Sequence, residues 1–430
     1  MNIAMFTNTY LPQVGGVARS VERFTQAYRA RGHRVLVVAP TYEDQPEEEE
    51  DVVRLPALPK FNGSDFSMVL PVKPHLQDRL DDFGPEIIHS HHPYLLGDTA
   101  LRAAADRELP LVFTHHTMYE HYTHYVPLDS PALRRFVMEL STGYANLADR
   151  VIAPSGTIAD ILVERGVTSP ITVVPTGVDL ASFSRGDGAA ARRELGIPAD
   201  AFVVGHVGRL AEEKNLPFLG RAVTRYLADR PQAWFLIVGS GPAQEDIRRT
   251  ARERGVEERV VFAGTRSGQD LVDAYHAMDV FAFASKSETQ GMVLVEALAA
   301  GKPLAALDAP GVSDVVRDRD NGRLLAEEDE AAFAEALDWV RGELDRRGDD
   351  LAQRARETAV PFGQSACADR SLRLYREALT AERDPIDPEA YNWSDLLRGL
   401  AREWDLWANR AAALAEAVSP EEPQEAEETP

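Results

Sequence analysis

Apolar runs alternate with amphipathic stretches along most of this chain of 430 residues. Runs such as Arg34–Ala39 and Phe202–Val207 are apolar throughout or nearly so, which is typical of parallel strands buried on both faces. Stretches such as Val17–Ala30 and Leu216–Asp229 carry apolar residues at helical spacing instead. This alternation predicts a mostly parallel sheet with helices on both faces.

The pattern starts again near Phe202, so we predict an α/β fold of two doubly wound, Rossmann-like halves. A polar, glycine-bearing junction over residues 175–196 separates them. The predicted strands are Asn2–Thr7, Arg34–Ala39, Glu86–His89, Leu111–Thr114, Val151–Ala153 and Ile171–Val174 in the first half, and Phe202–Val207, Ala233–Val238, Val260–Phe262, Val280–Ala284 and Pro303–Ala306 in the second.

Residues 392–418 repeat apolar positions at i, i+3 and i+4, which predicts an amphipathic helix with three of the five Trp on its apolar stripe. Residues 420–430 form an acidic tail that we expect to be disordered. We also expect the acidic stretch 42–51 to be a solvated loop.

Composition narrows the possible functions. The net charge of -23 argues against non-specific nucleic-acid binding. A single Cys excludes a disulfide scaffold and fits a reducing cytosol. No run of about 18 uncharged apolar residues predicts a membrane-spanning helix. Only five of the 46 basic residues are Lys, and adaptation to high salt and a GC-rich genome explain that bias equally well.

Gly15 and Gly16 follow the first predicted strand and begin the first predicted helix. Adjacent glycines let backbone N–H groups approach an anion at a helix N-terminus, although a plain tight turn would use the same residues. They do not form the G-x-G-x-x-G spacing of dinucleotide-binding proteins, which argues against an NAD-dependent oxidoreductase.

Arg209 and Lys214 follow the predicted strand Phe202–Val207. Ligands of open α/β sheets bind at the carboxyl ends of strands, and two cations there could neutralise a diphosphate. The structural alternative is a surface arginine and a lysine that caps a helix.

Glu288 and Glu296 form a Glu-x7-Glu spacing after the predicted strand Val280–Ala284. Glu288 would lie on a loop and Glu296 about 12 Å of helical rise further on. An acidic first turn, favoured by the helix dipole, is the alternative. Glu296 is surrounded by apolar residues, and an unpaired carboxylate there would be costly, so we expect it to have a hydroxyl partner.

Seven of the eleven histidines lie between positions 89 and 124, and His115 and His116 come directly after the predicted strand Leu111–Thr114. Each of them could be an ordinary satisfied polar residue. A zinc site is conceivable, although no spacing matches a recognised zinc signature. Its ligands would be His91 or His92 with His121 and His124.

Taken in order, these four segments resemble a family 4 glycosyltransferase of the two-domain GT-B type. The resemblance covers about residues 1–380, and Glu-x7-Glu combined with Gly-Arg-x4-Lys-Asn at 208–215 is its specific part. The stretch 114–122 (THHTMYEHY) further resembles the subgroup that glycosylates diacylglycerol or glycosyl-diacylglycerol. One departure is Thr176, where many members have Asn in PNGVD; Asp179 in the same motif is expected to be a junction residue.

The resemblance implies two Rossmann-like domains facing across a cleft. The two domains are an acceptor-side domain over 1–175 and a nucleotide-sugar-binding domain over 176–362. They are followed by a helix over 363–380 that crosses back to the first domain, and by an appended helix and acidic tail over 381–430.

It also implies roles for individual residues. Arg209 and Lys214 would bind the diphosphate leaving group, Glu288 would contact the donor sugar, and His116, rather than His115, would lie near the anomeric carbon. The implied donor-binding residues are Gly15 and Gly16 at the phosphate or acceptor, Gly239 and Gly241 in a donor-side loop, Thr265 and Arg266 beside the base, Gln290, Gly291 and Met292 with their amides beside the sugar, and Glu296 at the ribose.

The implied reaction is sugar transfer from a nucleotide sugar, with UDP-glucose favoured, and with retention of configuration. No cofactor or metal is expected, because side chains stabilise the leaving diphosphate. The implied acceptor is a lipid; the alternatives are a soluble acceptor such as a sugar phosphate, glycerate or polysaccharide, and a binding protein without activity.

A lipid acceptor implies a cytoplasmic enzyme that contacts the inner face of the membrane peripherally. Residues 1–40 carry a net charge of +4, and we expect Arg19, Arg23, Arg29 and Arg31 to face the lipid. The apolar stretch Leu55–Leu76 would contribute, and helix 392–418 either joins it or packs on the protein itself.

Overall fold

The computed structural model describes residues 1–13, 15–46, 49–58, 68–69, 74–121 and 130–382. Its first half contains the strands β1 (Asn2–Phe6), β2 (Arg34–Pro40), β3 (Val52–Leu55), β4 (Ala57–Leu58), β5 (Met68–Val69), β6 (Ile87–Ser90), β7 (Leu111–Thr114), β8 (Arg150–Ala153) and β9 (Ile171–Val173). The helices of this half are α1 (Gly16–Arg29), α2 (Pro74–Phe83), α3 (Leu96–Asp106), α4 (Pro131–Leu147) and α5 (Gly156–Glu164).

The second half begins with two short helices, α6 (Leu180–Phe183) and α7 (Gly188–Glu194). Its strands are β10 (Phe202–Val207), β11 (Ala233–Val238), β12 (Val260–Gly264), β13 (Val280–Phe283), β14 (Leu304–Leu307) and β15 (Gly322–Leu325). Its remaining helices are α8 (Leu216–Asp229), α9 (Gln244–Glu253), α10 (Gly268–Ala277), α11 (Met292–Ala299) and α12 (Glu330–Ala359), and α13 (Gln364–Thr380) follows.

These elements form the two predicted parallel sheets. The first has the order β3-β2-β1-β6-β7-β8-β9 and the second the order β12-β11-β10-β13-β14-β15. The strand order reverses beside β1 in one sheet and beside β10 in the other, and ligands of doubly wound sheets bind at such switch points. The loops after β1, β6, β10 and β13 are therefore the places to look for a site.

Each sheet has a hydrophobic core on both faces, because successive strand residues point to opposite sides. Val203 belongs to the core under α10 and α11, while its neighbour Val204 belongs to the core under α8 and the first part of α12. The apolar runs of the sequence thus correspond to strands that are covered twice.

Helix α13 packs against α1 of the first domain and completes that domain's core. The hydroxyl of Tyr28 on α1 donates a hydrogen bond to Ser371 (2.5 Å), and the Tyr375 hydroxyl lies 2.6 Å from Nδ1 of His89. The end of the described chain is therefore part of the domain in which the chain began.

Two sequence expectations about the first domain differ from the structure. The acidic stretch is not wholly solvated, because the Glu49 side chain is only 15% exposed and pairs with Arg54 at 2.6 Å. Strand β3 was not predicted, since three of its four residues are half-buried and its apolar run is short.

Several expected features lie outside the described residues: the helix over 392–418, the acidic tail and most of the stretch Leu55–Leu76. None of the helices in the described part of the chain combines the length and the apolar character that a bilayer crossing requires.

Candidate active site

The loops after β10 and β13 lie side by side and bring two predicted residues into contact. The ammonium group of Lys214 donates a hydrogen bond to the Glu288 carboxylate, and the two side chains are 20% and 16% exposed. Ser285 and Ser287 both donate to the carbonyl oxygen of Glu213, at 3.2 and 3.3 Å, and join the loops. A cation and a carboxylate are thus held together at the switch point of the second sheet.

Glu288 is ionised in this setting. Burial alone would raise its pKa, but the charge of Lys214 and the hydrogen bond that Lys214 donates lower the pKa below its usual value. Beneath the pair lies His206, whose pKa burial lowers to about 4. The site therefore contains a carboxylate, a cation and a neutral imidazole at neutral pH.

Arg209 lies at the start of the same loop, with its side chain 47% exposed and paired with Glu213. The loop is pressed against the 239–242 turn: Leu210 donates its backbone N–H to Ser240, and Ala243 donates to Leu210, both at 2.9 Å. A Cβ on Gly239 would lie 1.9 Å from the Gly208 oxygen. The glycine at 239 is needed for this close backbone approach, a structural role that the sequence did not indicate.

The glycine pair and the N-terminus of α11 face each other from the two domains. Gly15 is the extended residue that precedes α1, and a Cβ on Gly16 would lie 3.7 Å from the Met292 methyl group. Gly291 precedes α11 with φ of +68°, a conformation that favours glycine. Gly15, Gly16, Gly291 and Met292 therefore line the same interdomain cleft.

Glu296 is buried, with 2% of its side chain exposed, and both of its oxygens have partners. The Tyr275 hydroxyl donates to Oε2 at 3.0 Å, so a hydroxyl partner is present as expected. The second partner is unexpected: Arg23 on α1 donates to Oε1 at 2.9 Å and also to the Gly177 carbonyl at 3.0 Å. The carboxylate assigned to the ribose thus forms an ion pair with the opposite domain.

The 285–291 loop also binds the first domain directly. The Thr289 hydroxyl donates to the carbonyl oxygen of His116 at 2.9 Å, and the Ser155 hydroxyl donates to the Thr289 carbonyl at 2.7 Å. The buried Gln290 side chain also exchanges two hydrogen bonds with the backbone of Thr176 in the junction between the domains, at 2.6 and 2.8 Å. The cleft is closed here, and His116 lies next to the residue that follows Glu288.

The imidazole of His116 contacts a second histidine. Its Nε2 lies 2.9 Å from Nδ1 of the fully buried His91. Burial and the neighbouring histidines lower the pKa of His116 and of His91 well below the ordinary value, so both rings are neutral at pH 7. His115 is buried and packs between Phe113 and Tyr119.

The zinc hypothesis gains no support from the described residues, which contain no group of three or more potential ligands. His124 and the side chain of His121 lie outside them. Nδ1 of His92 accepts a hydrogen bond from the Asn8 backbone (3.1 Å), and Nδ1 of His91 is engaged by His116.

Three further predicted positions have structural partners. The Thr265 and Ser240 hydroxyls are 3.2 Å apart, at the turn that holds Gly241. Arg266 forms an ion pair with Glu194 on α7 (2.8 Å), so its guanidinium group is directed toward that helix. Asp179 caps α6 by accepting hydrogen bonds from Ala181 and Ser182, which is a junction role.

The expectation that four arginines of residues 1–40 face a membrane is wrong for Arg23, whose side chain is 17% exposed. Arg23 is bound to Glu296 across the cleft. Arg29 donates to the carbonyl oxygens of Val35 and Glu50. Arg31 is only partly available, since it binds Asp369 and Ser365. The position of Arg23 on α1 directs its side chain toward the second domain rather than toward solvent.

Sequence reasoning missed Ser155 and Thr289, which join the domains, and it gave other roles to Arg23 and to His91 beneath His116. Their partners lie 25 to 273 positions away along the chain. A single sequence carries no signal for such pairs, although the dense histidines did mark the region of His91.

Comparison with known proteins agrees with this architecture. Residues 14–182 match the model of glycosyltransferase family 4, and residues 187–358 match that of glycosyl transferases group 1. The alpha-monoglucosyldiacylglycerol synthase of Streptococcus pneumoniae is 30% identical over 78% of this chain and 77% of its own. The D-inositol 3-phosphate glycosyltransferase of Stackebrandtia nassauensis is 33% identical over 70% of each.

Among solved structures, sucrose-phosphate synthase from Thermosynechococcus elongatus superposes with a TM-score of 0.72 at 23% identity, covering 89% of this chain and all of that one. This likeness agrees with two α/β domains that face across a cleft. The chain belongs to glycosyltransferase family 4 and is a glycosyltransferase with the GT-B fold.

Proposed function

We propose that the chain transfers glucose from UDP-glucose to diacylglycerol or a glycosyl-diacylglycerol, with retention of the anomeric configuration. The glycosidic bond from C1 to the diphosphate oxygen breaks, and a bond from C1 to the acceptor hydroxyl oxygen forms on the same face. The acceptor proton passes to the departing diphosphate oxygen. Arg209 and Lys214 stabilise the charge on that diphosphate, in place of a metal.

One observation supports transfer in this cleft above the others. Thr289 donates to the His116 carbonyl oxygen, so the residue after Glu288 is bonded to the residue assigned to the anomeric carbon. The Lys214–Glu288 pair comes from one domain and His116 from the other. A sugar bound here would touch both, which is the arrangement that a transfer between two substrates requires.

The lipid acceptor is supported by the pneumococcal relative, whose name states that it makes monoglucosyldiacylglycerol. A soluble acceptor remains the second candidate, because the Stackebrandtia relative of similar identity is named for inositol 3-phosphate. Both candidate reactions use the same donor-side residues. They differ in the acceptor that the first domain must bind.

A panel of donors and acceptors tests the proposal. We expect purified protein with UDP-glucose and dioleoylglycerol in mixed micelles to form a glucolipid with an α-linkage, identified by the anomeric proton coupling, in buffer that contains EDTA. Transfer only to inositol 3-phosphate or another soluble acceptor would favour the second candidate. A strict requirement for added manganese or zinc would contradict the metal-free route.

Peripheral contact with the membrane belongs to the same proposal. A recess of about 550 Å³ between the end of α1 and α13 is lined by Arg31, His33, Asp369, Leu372, Arg373 and Arg376. Arg373 and Arg376 are exposed and form no ion pair within the described ranges. The pKa of His33 is lowered by burial and then by three cations, Arg376 among them, which indicates a positive potential in this recess.

We expect the double variant Arg373→Ser/Arg376→Ser to bind liposomes that contain phosphatidylglycerol about 30-fold more weakly than the wild type. Each basic side chain near an anionic surface contributes about 1 kcal/mol, so two contribute about 2 kcal/mol. Co-sedimentation at low and high salt measures the effect, which salt should reduce.

The matched control is Arg249→Ser/Arg252→Ser, because these two arginines have the same spacing on α9 of the second domain and are 59% and 52% exposed. It should bind liposomes like the wild type. Equal loss in both double variants would show that overall charge, and not this recess, governs binding.

A further inference from the structure

We propose that His91 is a positioning residue that fixes the tautomer of His116, so that His116 presents an N–H group and no free ring lone pair to the reactants. The inference rests on the proposed function, in which His116 lies beside the donor sugar. His91, on the loop after β6, would thus be one of the residues that set the protonation and geometry of the site.

The two rings share one hydrogen bond. Nδ1 of His91 and Nε2 of His116 are 2.9 Å apart, the ring planes differ by 21°, and the ring centroids are 5.1 Å apart. The rings therefore approach edge to edge, with a single proton between the two nitrogens. The pKa of each ring is lowered, so each is neutral and carries one proton.

The environment of His91 decides which nitrogen carries its proton. Nε2 of His91 is buried and has no hydrogen-bond partner among the described residues. A proton there would leave a buried N–H unpaired, whereas a proton on Nδ1 leaves only a lone pair unpaired, and orphaned donors are the rarer defect. Nδ1–H of His91 therefore donates to Nε2 of His116, and the proton of His116 is on its Nδ1.

A buried histidine of the second domain, His206, has a similar environment, and there only one tautomer is possible. Nδ1 of the buried His206 lies 3.1 Å from the Ala282 carbonyl oxygen, which can only accept, so the proton is on Nδ1. Its Nε2 is likewise buried and has no hydrogen-bond partner in the part of the chain that the structure describes. This fold thus accommodates a neutral histidine with a bare buried Nε2.

His91 is held in place by His89. The two ring centroids are 4.1 Å apart, and His89 is itself fixed between the Thr114 hydroxyl (2.7 Å) and the Tyr375 hydroxyl (2.6 Å). The backbone N–H of His91 donates to the Phe6 carbonyl at 2.9 Å. Helix α13 therefore supports His116 through two intervening histidines.

This tautomer limits what His116 can do. Its Nε2 lone pair is occupied and its Nδ1 carries the proton, so the ring can donate a hydrogen bond to an oxygen but cannot accept a proton from the acceptor hydroxyl. The acceptor proton must then pass to the leaving diphosphate, as in the proposed reaction.

Two substitutions separate positioning from packing. In His91→Asn the side-chain amide can supply an N–H near the position of Nδ1, and we expect kcat within about threefold of the wild type. In His91→Leu that donor is lost, and we expect kcat to fall at least tenfold with little change in KM for the donor. His276→Gln, which changes a partly exposed histidine on α10 outside the site and outside the recess, is the control.

Nitrogen-15 spectra of histidine-labelled full-length protein give a second measurement that does not depend on activity, with His116→Gln used to assign the signals. We expect His116 of the wild type and of His91→Asn to have a protonated Nδ1 and an unprotonated Nε2, and His91→Leu to show both tautomers. A protonated Nε2 in the wild type would overturn the inference, as would equal kcat in the Asn and Leu variants. Absence of transfer to every acceptor would refute the proposed function, while the spectra would still decide the tautomer.

Discussion

Replacement of Lys214 by alanine is expected to lower kcat for sugar transfer by about 100- to 1000-fold, the scale for loss of one preorganised donor in a transition state. Lys214 is assigned to the diphosphate, whose negative charge grows as the glycosidic bond breaks. Arg209→Ala should have an effect of similar size. Both residues lie on the loop after β10, so the variants should stay folded.

The contact between Lys214 and Glu288 complicates the interpretation of a single substitution. Without Lys214, Glu288 loses the charge that keeps its pKa low, and activity could fall for that reason alone. The double variant Lys214→Ala/Glu288→Gln separates the two effects. If Lys214 acts on the diphosphate, the double variant should be at least tenfold slower than Glu288→Gln.

If the double variant is no slower than Glu288→Gln, Lys214 serves only to hold Glu288, and the leaving-group assignment fails for it. Arg249→Ala is a suitable control, because it also removes one positive charge from the second domain but lies exposed on α9. Near-normal turnover in both Lys214→Ala and Arg209→Ala would remove the assignment altogether.

The strands were predictable where the sheet is buried on both faces. β10 and β11 have the predicted bounds, because their residues are almost all apolar and belong to two cores. The half-buried edge strand β3 lacks that pattern. Helix α12, which is kinked at Arg347, was not predicted, because its apolar positions are interrupted by charged residues.

In the candidate site, too, some residues were predictable from the sequence and others were not. Arg209, Lys214, Glu288 and Glu296 could be singled out because each lies at a fixed distance from a strand end in the sequence. Their partners could not, since Arg23 reaches Glu296 only when the two domains are docked. Sequence spacing fixes the loop on which a residue lies, whereas charge pairing between domains depends on how the loops are brought together.

The first domain is expected to unfold in mild acid, before the second. His89, His92 and His115 are buried in the first domain, and burial lowers their pKa values to about 3, 3 and 4. Only His206 is comparably buried in the described part of the second domain, with its pKa lowered to about 4. Neutral histidines in the core make folding sensitive to pH.

The number of protons bound by the folded and the unfolded protein determines whether stability rises or falls with pH. Below pH 6.5 these histidines take up protons in the unfolded chain, but in the folded protein they stay neutral down to about pH 4, so the unfolded state binds more protons. Stability is therefore fully present above pH 6.5 and is lost as the pH falls toward the folded pKa values. Each histidine contributes about 1.4 kcal/mol per pH unit, so His89, His92 and His115 together contribute about 4 kcal/mol per unit. His91 and His116, whose pKa values are also lowered, add to this.

A loss of that size removes most of a typical stability of about 5–15 kcal/mol within two pH units. Hydrogen exchange followed by mass spectrometry at pH values from 7.5 down to about 4 should show β1, β6 and β7 losing protection at a higher pH than β10 and β13. Peptides from α13 should follow the first domain, because Tyr375 is bonded to His89.

A conservative variant tests whether the histidines are the cause. His206→Asn can still donate to the Ala282 carbonyl and does not titrate, so it should make the second domain less sensitive to acid and leave the first unchanged. Equal acid sensitivity of the two domains in the wild type would contradict the prediction. So would loss of protection only below pH 4.5, because carboxylates titrate in that range and would then be responsible.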